Sequence, residues 1–304
     1  MTSRTTTPSP PTPHRLDPAD PHTRLQRHVR NALLTLPGEF EFANPISGIN
    51  ATDLFNLNTL LGAAIETEVV RTLNTLREIW DPDNEWPGYR FVRSSQAFPD
   101  VRLVRPDEPE PAIGVELKGW WLLSKEGVPS LRYQVAPAAC APHDLVCVVP
   151  WYLSNAVSGV AAVTEPWIES ARYAAEYRDH WWRHVRSSKG RTGIQYPGDA
   201  RPYPVKADKV LAQPEQDGGG NFGRLSRAKG LMDDFLVQTM ALPILGIPVA
   251  DWVAFLKLHS DTATRDDIKD ALEAAVTDRV HGVANEAAER IVGLLEQMAD
   301  LLRA

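Results

Sequence analysis

The chain is poor in cysteine, with only Cys140 and Cys147 among 304 residues. Two thiols in or beside the apolar run HDLVCVVPWYL suit core packing in a reducing compartment and exclude a disulfide framework. No further cysteines or matching histidines complete a zinc site. No apolar run is long enough to span a bilayer and no secretory signal stands at the start, so a cytoplasmic location without membrane contact is expected. Positive charge is not in excess either. Lys and Arg number 32 against 39 Asp and Glu, a formal net charge of −7. That excludes binding nucleic acid by bulk charge alone, while leaving room for a local basic cleft. There is no internal repeat. SKGRTG and GGGNFGR lack the Gly-Lys-Ser/Thr of a phosphate loop, and GGGNFG follows AQPEQD instead of an apolar strand, so the dinucleotide-binding pattern fails its context.

What is present is an ample apolar fraction, 43 %, with periods that change along the chain. Residues 1–22, rich in Pro, Thr and Ser, read as a disordered tail. A first helix is expected over Arg24–Leu36. Asn58–Leu76 carries Leu60, Leu61, Ala64, Ile65, Val69, Leu73 and Leu76 at spacings of three and four, an amphipathic helix. Phe98, Val101 and Leu103 mark a strand that carries Asp100 at its end. Arg105–Ala112 (RPDEPEPA) reads as an exposed turn, which leaves Asp107 solvated at its tip. Ile113, Val115 and Leu117 form the apolar face of the next strand, and Leu145–Leu153 forms another. A helix is expected from Thr164-Glu165-Pro166 to about Val185. From about Phe235 the chain reads as mostly helical, with apolar spacing from Ile268 to Leu301.

The chemistry concentrates in FPD (Phe98–Asp100) and VELK (Val115–Lys118). Strand side chains alternate, so Glu116 and Lys118 share a face. An antiparallel pairing across the turn brings Asp100 beside Glu116. Two carboxylates so close repel each other unless a cation lies between them, which predicts a divalent metal. On the upstream helix Glu66 borders the apolar stripe, while Glu68 is turned further to solvent. Glu66 either orients a water or second ion at this point, or is an ordinary boundary residue. His180 and His184 stand one helical turn apart, but RDHWWRHVR lacks the Glu of a metal-binding HExxH helix and reads as a basic helix end.

Basic segments offer nucleic-acid contacts. Lys189 and Arg191 lie in RHVRSSKGR; its alternative is a solvated helix terminus. Asp217–Gly230 (DGGGNFGRLSRAKG) combines glycines with Asn221, Arg224 and Arg227 at an expected helix start, with Lys206 and Lys209 upstream. Backbone N–H groups at a helix start favour phosphate, and Arg reads guanine bidentately.

FPD…VELK preceded by LGAAIETEVV resembles the PD-(D/E)XK nuclease superfamily, most closely type II restriction endonucleases, over about residues 55–150. The resemblance implies an α/β restriction-endonuclease-like core, with a central mixed sheet flanked by helices, and added C-terminal helices. It divides the chain into the tail 1–22, a nuclease core at 23–234 and a helical part at 235–304 packed on it. It implies Mg²⁺ held by Asp100, Glu116 and the Leu117 carbonyl, Lys118 activating water, and Glu66 as the helix glutamate. The expected reaction is hydrolysis of double-stranded DNA by a homodimer, with a companion DNA methyltransferase left open. The alternatives are a structure- or end-directed repair or recombination nuclease on the same core, or a non-catalytic DNA-binding relative.

Overall fold

A computed structural model describes residues 8–49, 51–54, 56–94, 97–186, 193–205, 208–217, 221–258 and 264. Lys189, Arg191, Lys206 and the apolar spacing from Ile268 to Leu301 lie outside the described residues. The architecture is α/β. Helices α1 (Pro21–Leu34), α2 (Leu36–Glu39), α3 (Ala51–Leu54), α4 (Leu57–Thr75) and α5 (Arg77–Trp80) precede the sheet. Strands β1 (Arg90–Arg93), β2 (Val101–Val104), β3 (Ile113–Trp121), β4 (Leu145–Leu153), β5 (Ala161–Val163) and β6 (Trp167–Ser170) build it, and α6 (Ala171–His180), α7 (Asp233–Met240) and α8 (Val249–Leu258) follow.

The sheet is mixed. Its order is β1-β2-β3-β4-β5, with β6 also on β4; only the β3–β4 pair is parallel. All but two residues of β3 are buried, as expected of a strand covered on both faces. Helix α4 matches the apolar stripe that its sequence carries, with Ile65, Val69 and Leu73 buried. It is locked to the sheet by two asparagines. Asn74 donates to the Phe91 carbonyl at 2.9 Å and accepts from the Phe91 N–H at 2.9 Å. Asn58 Oδ1 accepts from the Trp121 N–H and from Trp151 Nε1, each at 3.2 Å. The helix therefore lies across the strands that carry the acidic residues. Among the described residues no helix is long and apolar enough to cross a membrane.

Several elements differ from the sequence expectation. Residues 8–20 form neither helix nor strand, but they are held. His180 Nε2 contacts the Pro8 carbonyl at 2.9 Å, and His14 meets Glu176 at 2.7 Å. Asp20 caps α1 by accepting from the His22 N–H, so that helix starts at Pro21, three residues before the expected Arg24. Trp167–Ser170 is a strand, not helix: it fills the free edge of β4, with Leu145 opposite Ser170. The helix begins only after Ser170, whose hydroxyl accepts from the Tyr173 N–H. Satisfying a sheet edge outweighs local helix preference here. At the other end Ile244, Ile247, Val249, Trp252 and Leu256 join the main core, so residues 243–256 complete that core instead of lying upon it.

One close approach positions the loop before β2. A Cβ on Gly114 would lie 2.3 Å from Pro99 Cγ and 2.9 Å from Asp144 Oδ1. Gly114→Ala should cost about 1–3 kcal/mol, the range for overpacking a tight site, and should displace Pro99 and Asp100. Urea unfolding checks this; an unchanged midpoint would mean that Pro99 moves aside freely.

Candidate active site

The hairpin from β2 to β3 sets the acidic pair. Val101 pairs with Val115 and Leu103 with Ile113, which brings Asp100 alongside Glu116. Asp100 stands just before β2, so it opens that strand instead of closing one. Its N–H donates to Glu116 Oε2 at 3.2 Å, and its Oδ2 accepts from the Leu117 N–H at 3.0 Å. A strand residue turns its N–H and C=O to the same side, so the Leu117 carbonyl also faces the Asp100 side. Lys118 Nζ donates to Glu116 Oε1 at 2.7 Å and lies 4.0 Å from Asp100 Oδ2. Alternation within β3 supplies this last pairing directly. Asp107, in contrast, sits 70 % exposed at the turn tip beside Arg105.

The electrostatics are those of under-compensated negative charge. Burial, then the Glu116 carboxylate, push the Asp100 carboxyl up to about 8, against the pull of Lys118. Burial opposes the charge on Lys118, yet Glu116, Asp100 and Glu66 more than offset it and hold its ammonium above the ordinary value. Glu66 thus acts on the site from α4. It is held by Arg93, whose Nη2 reaches Glu66 Oε2 at 2.8 Å. Glu68 is no more exposed than Glu66, at 19 % against 24 %, but is engaged by Arg71.

The shift of Asp100 carries a pH signature. An unfolded aspartate loses its proton near 3.8, whereas the native site keeps it to about 8. Between these limits the unfolded chain binds fewer protons, so metal-free stability falls as pH rises. Melting in chelator should show a Tm that drops between about pH 5 and about pH 8, with a flatter slope in Asp100→Asn. Equal slopes would remove Asp100 as the group responsible.

A second buried carboxylate supports the first. Asp144 Oδ1 accepts from the Gly114 N–H at 2.8 Å and from Tyr203 Oη at 2.9 Å, and its Oδ2 accepts from the Ala141 N–H at 2.8 Å. Burial raises it to about 6 despite these bonds. Arg102 donates to the Phe98 carbonyl at 2.6 Å. Together Asp144 and Arg102 clamp the start of β3 and the loop that presents Asp100. Neither these nor Arg93 is distinguished by spacing. Only the position of Asp144 immediately before an apolar strand hints at a structural carboxylate.

Donor chemistry fits a hard divalent cation: two adjacent carboxylates and a strand carbonyl. Among the described residues no three His, Cys, Asp or Glu side chains converge as a preformed cage. Mg²⁺ characteristically takes one or two carboxylates and fills its remaining positions with water and substrate oxygens. A cleft of about 880 Å³ opens beside the site, with Glu66, Leu117, Lys118, Lys125 and Arg132 among the residues that line it.

The glycine-rich segment is docked, not loose. The Tyr133 N–H donates to the Gly223 carbonyl at 2.6 Å, the Leu225 N–H to the Leu131 carbonyl at 3.3 Å, and Arg224 bridges Arg132 across the backbone. Gly223 has φ +81°, and a Cβ there would meet Gln134 Cγ at 2.5 Å, so this glycine is required by close approach. Phe222 is buried against Trp182. Leu225–Arg227 is a single 3-10 turn, and the next helix opens on Asp233 and Asp234. The expected phosphate-binding helix start at Arg224 and Arg227 is therefore absent there. Arg227 Nη1 donates to Asn221 Oδ1, while Arg224 backs the wall of the cleft through Arg132. Lys209 is exposed.

Cys140 and Cys147 are buried free thiols, and burial raises both well above the ordinary value, which fits packing. The His180 and His184 rings are 5.2 Å apart, with His180 committed to Pro8. Comparison with family models and with curated proteins gave no match to this chain.

Proposed function

We propose that the chain is a Mg²⁺-dependent endonuclease hydrolysing phosphodiester bonds of double-stranded DNA, on a restriction-endonuclease-like PD-(D/E)XK core and in the sequence-specific manner of type II enzymes. One observation carries this reading: Asp100, Glu116 and Lys118 meet at the rim of a mixed sheet, with Lys118 Nζ 2.7 Å from Glu116 and 4.0 Å from Asp100. Asp100, Glu116 and the Leu117 carbonyl would hold the ion. When bound, it supplies the positive charge that a phosphoryl oxygen and an attacking water require.

The chain's own groups do the rest. Lys118 has three donors; one is engaged by Glu116, leaving others to orient a water and to meet a phosphate oxygen. Its raised affinity for protons keeps it an ammonium, suited to positioning rather than to accepting a proton. Glu66, fixed by Arg93, extends the negative field towards a second ion or water. Asn221, Arg224 and Arg227 remain the candidates for reading sequence, with Lys209 for phosphate. A homodimer belongs to this reading if the recognised site is palindromic, since two-fold protein symmetry then matches that of the DNA.

Digestion of mixed plasmid DNA with Mg²⁺, followed by sequencing of the ends, tests it. Discrete fragments with one common end sequence are expected, and chelator should abolish them. Cutting only at junctions or free ends would favour a structure-directed nuclease, and intact plasmid under all divalent cations would sink the reading.

A further inference from the structure

Between α6 and α7 the chain makes an excursion that meets the acidic hairpin at Tyr203 and Pro204. Tyr203 Oη donates to Asp144 Oδ1 at 2.9 Å, the same oxygen that accepts from the Gly114 N–H at 2.8 Å. Arg102 Nη2 donates to the Pro204 carbonyl at 3.3 Å and to the Phe98 carbonyl at 2.6 Å. One carboxylate oxygen and one guanidinium nitrogen therefore each join the excursion to the hairpin that sets Asp100 beside Glu116. The two joints are neighbours, since Asp144 and Arg102 act on each other's charge.

The excursion is braced at this point. Asp208 accepts from the Val205 N–H at 3.1 Å and pairs with Arg201 at 3.3 Å. Just beyond, the Ala136 N–H donates to the Val210 carbonyl at 2.7 Å and the Ala212 N–H to the Gln134 carbonyl at 2.8 Å. These bonds tie the chain to the segment before β4. Tyr203 itself has φ +50°, a conformation that a bulky L-residue keeps only where its surroundings hold it. Burial and the Asp144 carboxylate hold its hydroxyl well above the ordinary phenol range, so it remains a donor.

The hairpin ends of both joints stand next to the acidic pair. Phe98 comes just before Asp100 and Gly114 just before Glu116, and a Cβ on Gly114 would lie 2.3 Å from Pro99 Cγ. We propose that Tyr203 is a positioning residue for the acidic pair. By fixing Asp144 and, with Pro204, Arg102, it holds the Phe98–Asp100 loop so that the Asp100 carboxyl stays on the Leu117 N–H. The consequence for metal rests on the reading of Asp100 and Glu116 as ligands. Hydrogen bonds behind a ligating carboxylate orient it, and losing one typically weakens metal affinity about tenfold or more.

Two measurements test this. Tyr203→Phe keeps the ring and removes only the hydroxyl. The control, Tyr196→Phe, removes a like bond from the same excursion, Tyr196 Oη to Asp179 Oδ2 at 2.7 Å, at a carboxylate on α6. Amide hydrogen exchange of the full chain in chelator reads the Asp100 position without metal or DNA, because the Leu117 N–H donates to Asp100 Oδ2 at 3.0 Å. In Tyr203→Phe the Leu117 amide should exchange about tenfold faster relative to the Val69 amide of α4, a selective local opening. In Tyr196→Phe that ratio should keep the parent value. A role confined to general stability moves both amides by one factor, so an unchanged ratio in Tyr203→Phe overturns the proposal, as does an equal rise in Tyr196→Phe.

The second measurement is the Mg²⁺ dependence of duplex cleavage. The concentration for half-maximal rate should rise about tenfold or more in Tyr203→Phe, with KM for DNA unchanged. A higher KM at an unchanged Mg²⁺ requirement would assign Tyr203 to DNA contact and also overturns the proposal. Failure of the nuclease reading looks different: the parent cuts nothing under any divalent cation, while the Leu117 ratio still rises in Tyr203→Phe alone and supports the positioning role by itself.

Discussion

Asp100→Asn or Glu116→Gln should reduce Mg²⁺-dependent DNA cleavage by about a thousandfold or more while DNA binding persists. Metal-assisted stabilisation of developing charge is worth several kcal/mol, and each 1.36 kcal/mol is about tenfold in rate. Each substitution removes one of the two carboxylates that face each other across the β2–β3 hairpin, and the remaining one with the Leu117 carbonyl is a poor site. Folding should not suffer in Asp100→Asn: the Asp100 carboxyl is pushed up to about 8 by burial and by Glu116, so near neutral pH the amide replaces an acid that is already uncharged, and this variant should melt no lower than the parent in chelator. Glu116→Gln takes away the 2.7 Å partner of the Lys118 ammonium and should melt lower in chelator, because one charge of a buried pair is left behind. Both variants should lose the Tm gain that Mg²⁺ gives the parent. Binding to duplex DNA should survive or tighten, because negative charge beside phosphate has been removed. Full activity in either well-folded variant excludes these residues as the metal ligands.

The second large effect concerns Lys118. Lys118→Arg retains positive charge but replaces a compact ammonium with a broad planar fork. The ammonium lies 2.7 Å from Glu116 and 4.0 Å from Asp100, and a guanidinium, wider and with its donors in a fixed plane, would present them at different positions. If Lys118 positions the attacking water, cleavage should fall about a hundredfold or more, since small misplacements of reacting groups cost that much. DNA affinity should change little. Single-turnover cleavage with a matched binding titration separates the two quantities. Substantial cleavage with Arg would mean that Lys118 serves only as a counter-charge.

These expectations depend on residues of two kinds. The alternation of Ile113, Val115 and Leu117 with Glu116 and Lys118 is a local property, and so is the turn that folds β2 back on β3. A reader of the sequence can thus place Asp100, Glu116 and Lys118 together, because sixteen residues and one hairpin join the first to the second. The α4 stripe and the span of β4 are legible for the same reason: period and length are written in consecutive residues. The acidic turn with Asp107 exposed, and the burial of both cysteines, follow from equally local composition.

Only the tertiary structure decided the rest. Glu66 meets Arg93 across 27 positions, and Asp144 grips Gly114 across 30, pairings that no spacing announces. Trp167–Ser170 became a strand because β4 had an edge to fill, a demand set by the neighbouring strands and not by its own residues. The glycine-rich segment was anchored by backbone bonds to residues 131–133, which left an expected helix start as a docked segment with a single 3-10 turn. The cleft itself joins α4, β3 and residues 124–132. Local periodicity determines which face a side chain takes, whereas the partner that face meets depends on contacts between distant segments, and those exist only once the chain has packed.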